Sequence, residues 1–295
     1  MTYDNAGRII DVVNGKFNEY NIPRLEIIDN IIPADNSTLF VCSGMQNLKD
    51  KFKNPDGTNY SSGQWCIRTN DLDLVGDGTH LSSFLMLGNF SFLGISYHDS
   101  CLMWLEILRD LGIRPDFVNI HRDGGHEKIW KDVEIRYSDD CVWTDGDIGG
   151  YCCEIFKDGI EIGNLVNTSG NMVDVGFGME RLLMFLEESN PDENCIIADH
   201  LRTITLLHKN GVHPGPQGRN FITRKLIRRC LGIEPLEFFK DTLYYDWFQQ
   251  EYLKKENSIK SARSSLRRHK DKSYEFWKAT YGLLPEEVDM LLKCN

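Results

Sequence analysis

The sequence has no apolar run approaching the roughly 20 residues that a membrane span needs. Its polar start, Met1-Thr2-Tyr3-Asp4-Asn5, carries no basic flank followed by an apolar stretch, so neither a spanning helix nor a signal peptide is expected. There is no internal repeat and no low-complexity segment. A disulfide framework is also missing: nine cysteines, an odd number, are scattered through 295 residues, which fits a reducing, cytoplasmic setting. Metal-ligand spacing is absent too. His200, His208 and His213 stand in no zinc-like relation to Cys195 or Cys230, and Cys152-Cys153 are adjacent rather than CxxC, so no structural zinc and no resident metal site are expected.

Positive charge is the scarcer sign, with 33 Lys+Arg against 44 Asp+Glu and a net charge of −11. Spread evenly, that charge would oppose a polyanion partner. It is not spread evenly: residues 1–198 carry 15 basic and 32 acidic side chains (−17), and residues 199–295 carry 18 and 12 (+6). At 41% hydrophobic and 26% charged, the composition is that of a globular chain able to bury a sizeable core.

Helical spacing of Ile9, Ile10, Val12, Val13 and Phe17 predicts an opening helix over Asn5–Tyr20. Short apolar runs predict strands at Thr38–Cys42, Gln64–Thr69, Phe84–Phe92, Val118–His121, Cys152–Phe156, Ile160–Val166 and Met172–Val175, with turns at Asn54–Gly57 and Asp145–Asp147. Helices are expected at Asp99–Leu111 and Glu127–Tyr137. After Val175 the pattern is helical only: Gly178–Glu188, Ala198–Asn210, Asn220–Leu231, Tyr244–Arg268 and Pro285–Leu292. The expected architecture is α+β, a mostly antiparallel sheet flanked by helices over about 1–190, followed by an all-helical domain over 191–295.

Two segments suggest a site. Val173-Asp174-Val175-Gly176-Phe177-Gly178-Met179-Glu180-Arg181 reads strand, two glycines, helix. It lacks the third glycine of a dinucleotide fingerprint, and its glycines would instead let a ligand approach the backbone beside the Arg181 cation. Cys66 to Asp71, joined to the strand starting at Phe84, would set the Arg68 guanidinium beside an aromatic ring, a sensible nucleotide platform. Phe90 and Phe92, at period two, are expected to pack a core.

Taken in order, Leu39–Gln46, Gln64–Arg68, Asn70–Gly76, Met86–Phe92, Trp143–Glu154, Glu161–Val166, Val173–Arg181, Ala198–Arg202, Gly218–Arg229 and Ala279–Pro285 resemble the catalytic core of alanyl-tRNA synthetase, nearly end to end. The run Leu87-Gly88-Asn89-Phe90-Ser91-Phe92 is particularly specific to that family. The resemblance implies a class II synthetase fold that condenses an amino acid with ATP, with Mg²⁺. Carried over, it sets Arg68 and Arg181 at the reacting phosphates as the catalytic pair. Asp71, Phe84, Met86 and Gly178 would complete the ATP site. Met45, Trp143, Asn164, Val166, Asp174 and Gly176 would hold the amino acid, with Asp174 pairing with its ammonium group. The sequence departs from the family pattern at Thr79, Leu85, Val175 and Phe177, and in a contracted loop at Gly149–Cys153.

In that family the helical region docks the tRNA acceptor stem. Arg219, Arg224, Lys225, Arg228 and Arg229, with Arg267 and Arg268 on the next helix, are the expected phosphate contacts. The expected function is activation of alanine, before glycine or serine, to alanyl-adenylate and transfer to the 3′ end of tRNA(Ala), with no membrane partner. The alternative is a synthetase-like ligase that passes a small activated amino acid to a non-tRNA acceptor. Nothing in the pattern specifies an oligomeric state.

Overall fold

The computed structural model describes residues 3–35, 37–70, 72–168, 170–186 and 195–293, and the chain divides into two compact units, Met1–Glu193 and Asn194–Asn295. In the first, β1 (Glu26–Ile28), β2 (Asn59–Ile67), β3 (Ser83–Ser91), β4 (Phe117–Ile120), β5 (Glu134–Tyr137), β6 (Val142–Asp145), β7 (Ile148–Lys157), β8 (Ile160–Thr168) and β9 (Met172–Gly178) form one sheet. The order is β1-β2-β3-β9-β8-β7-β4-β5, with β6 paired to β7. The pairs β1–β2 and β4–β5 are parallel and the others antiparallel. This unit also contains α1 (Tyr3–Glu19), α2 (Lys49–Lys53), α3 (Tyr97–Leu111) and α4 (Met179–Met184).

Period-two alternation gives the central strands two different faces. One presents Leu85 and Leu87 of β3, Val173, Val175 and Phe177 of β9, Leu165 of β8, and Cys153 and Ile155 of β7, all buried in one core with α1 and α3. Trp104 of α3 stacks on Phe177 with centroids 4.0 Å apart, and Phe17 of α1 meets Trp104 edge-on at 5.9 Å. Ser96 caps α3 by accepting from the Asp99 amide, and Gly112, at φ 80°, ends it. The other face presents Phe84, Met86, Asp174, Gly176, Asn164, Val166, Cys152 and Glu154, and it builds the candidate site.

Three departures from the sequence expectation have physical reasons. Glu127–Tyr137 is not a helix: Trp130 is buried in the core, its indole N–H donating to Cys153 Sγ at 3.1 Å, and Glu134–Tyr137 is β5 alongside β4. Tertiary pairing overrides the helical periodicity there. Thr38–Cys42 belongs to no strand, although the Val41 amide donates to Ile31 O and its carbonyl accepts from the Ile67 amide. The three-residue β1 is too short to leave a pattern. The expected turns hold glycines at positive φ, Gly57 at 79° and Gly146 at 67°, where other side chains are strained. Phe90 and Phe92 are fully buried, as expected.

The second unit contains only helices among its described residues: α5 (Cys195–Lys209), α6 (Gly218–Ile233), α7 (Tyr245–His269), α8 (Tyr274–Tyr281) and α9 (Pro285–Lys293), plus a short 3₁₀ turn at Leu236–Phe239. Helix α8 was not anticipated, though its signals are ordinary: Ser273 accepts from the Phe276 amide and Gly282, at φ 66°, terminates it. Among the described residues no helix is long and apolar enough to cross a membrane.

Candidate active site

The open face of the sheet floors a cavity of about 370 Å³. Ladder register explains why its residues meet. Met86 lies opposite Gly178, Asn164 opposite Gly176, Val166 opposite Asp174, and Glu154 opposite Asn164. Directly opposed residues point to the same face, so side chains about 90 positions apart in sequence share one floor. Gly176 keeps that floor open: a Cβ there would lie 2.9 Å from Met86 Sδ.

Arg68, at the end of β2, is exposed and lies over the Phe84 ring with its guanidinium carbon 5.0 Å from the centroid, while its Nε donates to Cys42 O at 3.3 Å. Arg181, in α4 just after β9, donates from Nη1 to the Glu161 carbonyl at 2.6 Å and lies 3.4 Å from its carboxylate. Both guanidiniums are fixed by backbone oxygens and keep donors to spare. The Asp77 carboxylate, held well below the usual range mainly by the amides of His80 and Thr79, orders the loop that brings those two residues to the cavity wall.

Asp174 is the unusual group. Its carboxyl is buried, and among the described residues no hydrogen bond or opposite charge compensates it. Desolvation, with a smaller contribution from the Asp145 charge, pushes its pKa up to about 7. Beside it, the Asn164 side-chain oxygen is buried and also lacks a partner. Two acceptors on one cavity floor, neither with a protein partner among the described residues, suit a donor that accepts nothing, and an ammonium group has three N–H bonds and no lone pair.

Of the residues expected from sequence, Arg68, Phe84, Met86, Trp143, Asn164, Val166, Asp174, Gly176, Gly178 and Arg181 line this cavity together. Met45 does not. It is fully buried against Phe52, Phe90 and Phe92, and the nearby wall position belongs to the half-buried Ser43. Asp71 lies outside the described residues.

The model for tRNA synthetases class II (A) matches residues 25–174. The chain belongs to the class II (A) tRNA synthetase family. The alanine–tRNA ligase of Wolbachia pipientis wMel is 31% identical over 290 residues, covering 74% of this chain and 33% of that protein. That of Burkholderia multivorans is 30% identical over 289 residues, covering 68% and 33%. The chain thus spans about a third of the length of the curated relatives it matches. A pyrrolysyl-tRNA synthetase chain from Desulfitobacterium hafniense aligns over 60% of this chain and 67% of its own at 13% identity with a TM-score of 0.40, which adds nothing to what strand order establishes.

Three of this synthetase-family chain's departures, Leu85, Val175 and Phe177, fall on the core face and do not touch the cavity. Thr79 does line it. Glu154, Glu161, Glu180 and His80 also line it and were not anticipated. Glu180, next to Arg181, accepts from the Leu85 amide at 3.0 Å and so braces α4 against β3.

In the helical unit the basic residues separate into two kinds. Arg228 is a correction to the expected phosphate contacts. It is buried, its Nη2 lies 2.7 Å from Glu287 Oε2, its Nε donates to Glu287 Oε1 at 3.1 Å, and Nη1 donates to Gly282 O. Arg224 is half-buried with its Nε unpaired, whereas Arg268 is exposed and Arg219, Lys225 and Arg229 are partly so. The side chain of Arg267 lies outside the described residues. His208 and His213 pack edge-on against Trp247 at 5.1 and 5.2 Å.

Proposed function

We propose that this chain activates a small amino acid, alanine before glycine or serine, with ATP, and passes it to the 3′ end of tRNA(Ala). Residues 1–190 act as the adenylating domain in the cytoplasm, and residues 191–295 present cations to the acceptor stem. The observation that carries this reading is the buried Asp174 carboxyl, without a protein partner among the described residues, and the unpaired Asn164 oxygen in the same cavity as Arg68, Phe84 and Arg181.

The amino acid's ammonium group docks on Asp174 and the Asn164 oxygen. Its side chain meets Val166 and Trp143, which line the cavity. The carboxylate attacks the α-phosphorus of ATP, the bond to pyrophosphate breaks, and an acyl phosphate forms. Two anions must come together in this step, and fixed cations aimed at the developing charge lower its barrier. Arg68 serves the α-phosphate while Phe84 stacks on adenine, and Arg181 takes the departing phosphates. Mg²⁺ takes oxygen donors, one or two carboxylates plus phosphates. Glu161, a cavity carboxylate beside Arg181, suits that role, where the ion would offset phosphate charge. In transfer, the terminal ribose hydroxyl attacks the carbonyl and AMP leaves.

Amino-acid-dependent pyrophosphate–ATP exchange tests the reading. Exchange with alanine is expected, and its absence with all twenty amino acids would sink it. A second reading, delivery to a non-tRNA acceptor, draws on the inward turn of Arg228 and partial burial of Arg224, which thin the basic stripe. Exchange without charging of a tRNA(Ala) transcript would favour it.

A further inference from the structure

The sheet brings together three ligand-type side chains that spacing along the sequence does not reveal. Cys141, just before β6, lies opposite Cys152 of β7 by continuation of the Val142–Tyr151 pairing, and the Cys152 amide donates to Cys141 O at 3.0 Å. Glu154 is two residues further along β7 and so on the same face. The two Sγ atoms and a Glu154 carboxylate oxygen all lie within 4.8 Å of one another. Both thiols are buried and free. Asn119 steadies the carboxylate, its Nδ2 donating to Glu154 Oε2 at 3.3 Å.

We propose that Cys141, Cys152 and Glu154 form a binding site for one thiophilic divalent cation, of which Zn²⁺ is the type. With Zn–S near 2.3 Å and Zn–O near 2.0–2.2 Å, tetrahedral ligands stand about 3.5–3.8 Å apart, so contraction of the cluster by roughly an ångström suffices. Two thiolates and a carboxylate carry three negative charges against two positive, and binding releases the thiol protons. Glu154 also lines the cavity, leaving the fourth coordination position to water on that side. Within the sheet β6 is hydrogen-bonded to β7 alone, and Cys141 and Cys152 pack with Val166 and Trp143. A cation here staples β6 to β7 and fixes the cavity wall that Trp143 forms. The site does not depend on the activity proposed above.

The test uses the whole chain, kept reduced, stripped with a chelator, loaded with Zn²⁺ and dialysed. About one Zn²⁺ per chain is expected, and Co²⁺ in its place should give a thiolate-to-metal charge-transfer band. Cys141→Ser, Cys152→Ser and Glu154→Gln should each weaken binding by at least roughly tenfold, while Cys42→Ser, which alters a partly exposed thiol elsewhere, should not. Circular dichroism checks that the variants fold, and Glu154→Gln carries the test if a cysteine variant does not. Failure of the unaltered chain to retain Zn²⁺, or retention indifferent to all three substitutions, overturns the proposal whatever the exchange assay shows.

Discussion

Asn164 stands directly across the β8–β9 ladder from Gly176, so the amide oxygen that lacks a partner projects beside a position with no side chain. The space above Gly176 is bounded instead by Met86, whose Sδ would lie 2.9 Å from an added Cβ. Gly176→Val should therefore fold and lose amino-acid-dependent exchange, because two further methyl carbons fill the floor where the proposed function seats the substrate backbone. Exchange kinetics beside a melting curve check this. Near-normal kcat/KM for the amino acid would place the substrate elsewhere.

Asp174 gives a prediction in pH. Its folded pKa of about 7 lies above the carboxyl's ordinary 3.8, so between those values the folded chain holds a proton that the unfolded chain has released. Stability must then fall as pH rises through that window, by up to about 4 kcal/mol. Asp174→Asn should remove the fall, as urea unfolding of both proteins at pH 5 and pH 8 would reveal. In the proposed docking the charged form binds the ammonium group, so KM for the amino acid should decrease as pH rises towards 7. Identical pH dependence in the two proteins would contradict the assignment.

Arg228 and Arg268 should behave differently although both are basic residues of the helical unit. Removing Arg228 leaves Glu287 buried without its main partner, with Lys255 only 3.9 Å away as partial relief, so Arg228→Ala should cost about 3–5 kcal/mol. Arg268→Ala, at an exposed position, should shift stability by less than about 0.5 kcal/mol and lower the salt slope of RNA binding by about 1. Thermal melts and binding titrations at several salt concentrations separate the two effects.

Phe177 tests which face is which. Stacked on Trp104 in the core, it should cost about 3–5 kcal/mol as Phe177→Ala, whereas Phe177→Met should be milder. Neither should move KM for the amino acid. A changed KM with unchanged stability would mean that the ring reaches the cavity.

The sheet's central strands were legible because their alternation is strong: Leu85, Leu87, Val175 and Phe177 announce a buried face, and Asp174 and Gly176 fall between apolar residues. Order along the chain, however, does not disclose register. Only the ladders show that Val166 faces Asp174 and that Cys141 meets Cys152. Met45 was misplaced because a buried methionine and a pocket methionine look alike in sequence, and Arg228 because charge alone does not reveal an internal carboxylate such as Glu287. Glu127–Tyr137 failed for a related reason: Trp130, Val133 and Tyr137 suit a helix by spacing, yet β4 offers an edge for Ile135 to pair with.

The last strand to emerge, β9, is also the one that lies between β3 and β8. A growing chain thus makes Arg68, Phe84 and Met86 long before it makes Asp174 and Arg181, and the early strands must leave a gap at the middle of the sheet. Closing loops this long is slow and costly in chain entropy. The two flanks of the cavity floor, β3 on one side and β8 on the other, are therefore made apart, and the floor is continuous only once the ninth strand has paired between them.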